Sequence, residues 1–193
     1  MCETMKRLQL TIALDHNFTE KELHEIAEAV GGAFELKDRT YILETSEEGP
    51  PTVVFSFGEI SKENLPSLLG VIKSDYWKKA RKEISKILSK RRNDDEPMVS
   101  FECVIGGVKA SMKCRTDKQK IVESAFERLD LALESLWILT QSKNVPGEKM
   151  LIYLGFDDSK KIFRIDRAVV LSPEFGEYMF DEKAQKWSKV GQK

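Results

Sequence analysis

The chain reads as an α+β protein, a largely antiparallel sheet with helices packed on one face. Three observations predict this. Alternating apolar segments of strand length recur from the first residues to the last, capped amphipathic stretches separate them, and residues 8–105 run strand, helix, strand, strand, helix, strand. That order matches the ferredoxin-like βαββαβ unit, and hairpins dominate the C-terminal end.

Leu8, Leu10, Ile12 and Leu14 alternate with Gln9, Thr11 and Ala13, the period of a half-buried strand. A helix follows. Thr19 is a good N-cap, Glu22 completes a capping box with it, and Phe18 stands where it can staple onto Leu23. Leu23, Ile26, Ala27 and Val30 form its apolar stripe, and Gly31-Gly32 ends it. A short strand at 34–36 and two more at 41–45 and 52–57 come next, the last two joined by a turn-rich Ser46–Pro51. Asn64 can cap a short helix with Pro66 in its first turn, where proline is tolerated. Gly70 weakens that helix. Ser74 caps a second one, which runs to about Arg92 until Asn93-Asp94-Asp95-Glu96-Pro97 stops it.

Gly106-Gly107 between two alternating runs is a two-residue hairpin turn of the primed type. It sets a register of Ile105 with Val108, Cys103 with Ala110, Phe101 with Met112, and Val99 with Cys114. Cys103 and Cys114 then share a face but stand four residues apart, roughly 13 Å. A disulfide needs Cα atoms within about 7 Å, so both are expected as free core thiols. Thr116 and Gln119 form a second capping box, opening a helix from Asp117 to about Gln141. Its apolar positions from Ile121 to Trp137 recur at three- and four-residue steps, for a length of about 37 Å. Strands follow at 149–156, 161–171, 178–180 and 186–190, with turns at 157–159 and 182–184. The break at 144–147 divides an α+β core domain, 1–143, from a C-terminal β extension, 147–193. That extension packs on the same domain or on a partner subunit.

With 193 residues, 41% hydrophobic and 33% charged, the chain can bury a core of its own. Its apolar runs fall far below the ~20 residues of a membrane span, and its N-terminus lacks a signal-peptide pattern. The expectation is a cytoplasmic protein with no membrane partner.

Charge supplies the sharpest functional hint. Between Lys73 and Arg92 there are nine lysines and arginines against two acids, in a chain whose net charge is −1. Trp77, Ala80, Ile84, Ile87 and Leu88 fall on one side of this helix. Lys78, Lys79, Arg81, Lys82, Lys86, Arg91 and Arg92 are the candidate anion- or partner-binding residues on the other. Three readings stay open: a solvated outer face whose long stems shield the core edge, a docking surface for an acidic protein or a second copy, and a phosphate-binding surface for nucleic acid. Tyr76 is the only exposed aromatic candidate near this helix for base stacking.

Catalytic patterns are not announced. His16 and His24 have acids only as sequence neighbours, and no nucleophile elbow, Walker loop or dinucleotide fingerprint occurs. With two histidines and no CxxC pair, no metal site and no cofactor are expected; Asp157, Asp158 and Asp166 read as hairpin-turn chemistry. Residues 150–154 and 168–171 are apolar on both faces, which fits central strands or an oligomer interface, and Tyr178, Phe180 and Trp187 add aromatic weight of the kind found at interface cores.

The capped N-terminal helix, the segment Leu65-Pro66-Ser67-Leu68-Leu69-Gly70-Val71-Ile72, the basic helix ending Ser89-Lys90-Arg91-Arg92, and the hairpin and helix beyond it span residues 6–135. In that layout the chain resembles small effector-associated modules of prokaryotic conflict systems. The resemblance implies an adaptor that works by self-association and is not an enzyme. The expected function is therefore a non-catalytic protein-interaction module, binding a protein partner or itself as a homodimer; the alternative is nucleic-acid binding through helix 74–92.

Overall fold

A computed structural model of the chain describes residues 8–15, 17–42, 49–90, 96–141, 145–147, 149–172 and 175–191. The elements, in order, are β1 (Gln9–Asp15), α1 (Glu20–Gly31), β2 (Glu35–Ile42), β3 (Thr52–Ile60), α2 (Leu65–Lys73), α3 (Asp75–Ser89), β4 (Met98–Ile105), β5 (Val108–Arg115), α4 (Gln119–Glu127), α5 (Leu129–Gln141), β6 (Lys149–Asp157), β7 (Ile162–Ser172), β8 (Gly176–Asp181) and β9 (Lys186–Lys189). All the strands join one sheet in the order β2-β1-β3-β4-β5-β6-β7-β8-β9.

The α+β class is what the structure has, with a sheet that is largely but not wholly antiparallel. β1 with β2, β3 with β4, and β5 with β6 are parallel neighbours. Each of these pairs is bridged by helix, the connection a parallel pair needs. Ferredoxin-like order is not what results. That fold places another strand between the two parallel strands of each unit, whereas here β2 sits directly beside β1 and β4 beside β3. The segment expected at 34–36 and the start of the one expected at 41–45 fall in one strand, β2, whose backbone pairs with β1 from Glu35 to Ile42 without a turn; residues 43–45 lie outside the described residues.

Local chemistry places most element ends. Thr19 and Glu22 make the capping box of α1. Ser74 accepts from the Trp77 N–H and starts α3 as anticipated. Gly32 ends α1 at φ −73, so its value is not left-handed backbone: a Cβ there would meet the Tyr76 ring at 3.1 Å. Gly106 and Gly107 do need their lack of a side chain, at φ 57 and 82 in the hairpin turn.

The long helix expected from Asp117 to Gln141 is two helices. The second capping box does not form. Thr116 accepts from Lys118 N–H and the helix begins at Gln119. The break falls at Arg128, four residues after Ser124, whose hydroxyl donates back to the Lys120 carbonyl. Such back-bonding loosens and bends a helix, and the bend lets Phe126 and Leu129 both reach the core.

The helices share one face of the sheet. Leu10, Ile12, Leu14, Val53, Phe55, Val99, Phe101, Met112, Ile152 and Leu154 point into the layer between them and the sheet. Trp77 is the hub of that layer, with ring centroids 5.6 Å from Phe34, 5.5 Å from Phe126 and 6.5 Å from Phe57. Among the described residues no helix is long and apolar enough to cross a membrane.

The hairpin register is the one the glycine pair dictated, down to Val99 with Cys114. Cys103 and Cys114 are free thiols in the buried layer. Burial pushes both from 9.0 up to about 12, with neighbouring carboxylates adding to it. At pH 8 only about one in ten thousand of such thiols is ionised. A maleimide should leave both unlabelled in the native protein and modify both in denaturant, as peptide mapping would show. The folded state holds these protons more tightly than the unfolded state does. The associated stability is thus intact below pH 9.0 and falls as pH climbs toward 12.

Candidate interaction surfaces

The basic helix α3 lies between α1 and α4. Trp77, Ala80, Ile84, Ile87 and Leu88 are all buried, so its first duty is to pack. Its cations are divided. Lys78 reaches Asp75 at 2.8 Å, Arg81 reaches Glu127 at 3.7 Å, and neighbouring Lys73 reaches Asp130 and Glu134 at 3.5 and 3.6 Å. Lys79, Lys82 and Lys86 are exposed and have no ion-pair partner among the described residues. Arg91 and Arg92 lie outside the described residues.

The surroundings of α3 are acidic. From 20 to 31, α1 carries Glu20, Glu22, Glu25 and Glu28 against Lys21, and α4–α5 carry Glu123, Glu127, Asp130 and Glu134 against Lys120 and Arg128. Lys79 and Lys86 share a surface depression with Glu25, Glu28 and Glu83. Each exposed pair is worth about 0–1 kcal/mol, but the pattern matters more than the sum. A phosphate approaching the α3 stripe meets carboxylates on both sides.

Among the described residues the opposite face of the sheet has no helix on it. Across it run Thr11, Ser56, Glu102, Ser111, Tyr153, Arg167 and Met179, residue paired with residue from β1 to β8. Lys113 and Arg167 flank the Tyr153 ring at 5.8 and 5.1 Å, and Arg167 bonds Glu177 at 2.9 Å. The doubly apolar segments resolve accordingly. Met150, Ile152, Leu154, Ala168 and Val170 face the helices, whereas Leu151 and Val169 are half-buried on the open side among charged neighbours.

A third surface lies at the end of the helix layer. α5 is the last helix, packing on β4 and β7, and the sheet continues past it through β8 and β9. Ala168 pairs with Tyr178, and Phe180 with Trp187, which puts all three aromatics on the helix side. Between α5 and Phe180 runs a groove of about 600 Å³, walled by Ser135, Ile138 and Leu139 on one side and by Phe180, Glu182 and Gln185 on the other, with Phe163 and Ile165 in its floor. Ile138 is 67% exposed and Ile162 39%.

No family model, curated protein or solved structure matches this chain. Its surfaces alone carry the functional argument.

Of the acids singled out in the sequence, Asp157 serves the fold. Asp157 accepts from the backbone of Ser159 and Lys160 and from the Ser159 hydroxyl, which hold its carboxyl down at about 2, with Arg164 adding a smaller effect. Arg164 also forks onto Glu182 at 2.9 and 2.6 Å, tying the tips of two hairpins together. Among the described residues no group of three or more potential ligands could hold a metal ion. His24 is exposed on α1, and His16 lies outside the described residues.

The groove was missed from sequence, although a signal was there. Leu129-Asp130-Leu131-Ala132-Leu133-Glu134-Ser135-Leu136-Trp137-Ile138-Leu139 is apolar on its outer side as well as its inner one, and a helix of that kind is covered on more than one side.

Proposed function

We propose that the chain is a non-catalytic protein-interaction module that works by self-association. One observation carries this: α5 is apolar on its outer side as well as its inner one, with Asp130 and Glu134 along one flank paired to Lys73, and the protein's own core leaves Leu131 and Ile138 exposed at 44% and 67%. Apolar side chains presented in register along a helix mark a surface that meets another protein. The adaptor-like layout of residues 6–135 points the same way. The two described cysteines, Cys103 and Cys114, are buried and held protonated and so are poor nucleophiles.

Nucleic-acid binding through α3 is the second reading, favoured by the unpaired cations of Lys79, Lys82 and Lys86. It is the weaker one because acidic helices flank that stripe. Sedimentation over about 1–200 µM, in parallel with retention of 20-mer DNA and RNA at low salt, separates the two. Self-association without retention is the expected result. A monomer throughout, together with oligonucleotide binding that weakens steeply with salt, would replace the first reading with the second.

A further inference from the structure

The helix layer of this protein stops before its sheet does. We infer that the groove beside α5 is filled by α5 of a second copy, the two copies inserting this helix reciprocally about a two-fold axis. The inference rests on the self-association reading and gives it a surface.

The helix supplies the first argument. Leu129, Ala132, Leu133 and Leu136 are buried against the protein's own sheet, while Leu131 and Ile138, seven residues apart, point away from it. The receiving surface supplies the second. The groove has Phe163 and Ile165 as its floor and Phe180, Glu182 and Gln185 on its far side, and beyond it Tyr178 and Trp187 are half-buried on the helix side of β8–β9, where none of the described helices lies. A floor of that kind takes an amphipathic helix by its apolar stripe.

Reciprocity is the third. The Leu131–Ile138 stripe faces away from its own sheet, so a copy turned over by a two-fold axis presents it to the groove of the first. Its own groove then covers the first copy's stripe. Each exposed feature covers the other, as a closed isologous contact requires. Charge does not oppose the contact, since Glu134 on the helix is paired with Lys73 and the hairpin sets Asp181 and Glu182 beside Lys183 and Lys186. A 13-residue helix is about 20 Å long and strands lie about 4.8 Å apart. Two such contacts bury roughly 800–1,000 Å², the size of a weak, transient interface. The dimer is accordingly expected at tens of micromolar.

The open sheet face is the competing surface for a second copy. Leu151 and Val169 there are interleaved with Glu102, Lys109, Lys113 and Arg167, which a face-to-face contact would have to desolvate.

Sedimentation equilibrium of the full chain, with Ile138→Glu and Val169→Glu, tests the assignment. Ile138 is exposed, so the glutamate leaves the fold intact, which a thermal melt checks. The expected result is a two-chain mass for the unmodified protein at about 100 µM, association weakened roughly tenfold or more by Ile138→Glu, and no change with Val169→Glu. A dimer indifferent to Ile138→Glu overturns the groove and leaves self-association standing. Loss of the dimer with Val169→Glu alone moves the interface to the open face, which also overturns it. A single-chain mass for the unmodified protein at every concentration overturns self-association itself.

Discussion

Replacing Trp77 by alanine should cost about 3–5 kcal/mol of stability, the largest effect expected of any single change in this chain. Trp77 is fully buried and touches rings on three elements: Phe34 before β2, Phe57 on β3 and Phe126 on α4. Removing it opens a cavity where α1, α3 and α4 converge on the sheet, and none of these backbones is free to collapse into it. Domains of this size are stable by only about 5–15 kcal/mol, so the variant loses a large share of its margin. Trp77→Phe is a sharper probe. The indole Nε1 is buried without a partner, so phenylalanine removes an unsatisfied donor along with some volume. It should therefore cost less than half as much as alanine. Lys82→Ala and Lys86→Ala, on the outer side of the same helix, should stay within about 0.5 kcal/mol. Urea unfolding of the four variants measures all of this. A Trp77→Ala cost no larger than that of the lysine variants would show that α3 is not the packing element described above.

That contrast also explains what was legible in the sequence. At most positions where one residue decides a structure by itself, the reading and the fold agree, as at Thr19 with Glu22, Ser74, the Gly106-Gly107 register and the inward positions of α3, while the Thr116–Gln119 capping box is a local rule that fails. These are local rules acting over fewer than about ten residues. The other departures are choices between neighbours distant in sequence. β-α-β-β-α-β is one string of elements whether β2 fills the free edge of β1 or leaves room for an inserted strand, and only the assembled sheet decides. The charge of α3 is a similar case. Counted along the chain it is part of a basic block, but Glu127 comes back to Arg81 of α3, and Asp130 and Glu134 to Lys73 at the end of α2, from forty or more residues away. What looks like a binding surface in one dimension is partly an internal ion-pair layer in three. The groove beside α5 was hidden for the opposite reason, since a helix this rich in apolar residues reads as deeply buried until the extent of the sheet is known.

Asp15→Ala should destabilise the protein by roughly 2–3 kcal/mol, the second largest effect expected. The side chain is 1% exposed at the end of β1. One carboxylate oxygen accepts from the backbone N–H of Thr52 at 2.6 Å, and the other from that of Asn17 at 3.0 Å. Thr52 opens β3, whose register places Val53 opposite Leu14. The carboxylate thus closes the β1–β3 ladder at the point where the chain returns from β2. Alanine leaves the Thr52 donor buried with nothing to receive it, and a buried unpaired N–H costs more than the bond itself contributed. Asp15→Asn tests whether acceptor capacity or shape matters. The amide has the same outline but only one acceptor oxygen, and either orientation turns its NH2 toward one of the two backbone donors. Asparagine should therefore lose at least half of what alanine loses, although it fills the same space. An asparagine variant as stable as the parent in urea would refute the two-acceptor account, because a side chain needed only to fill that corner tolerates the amide.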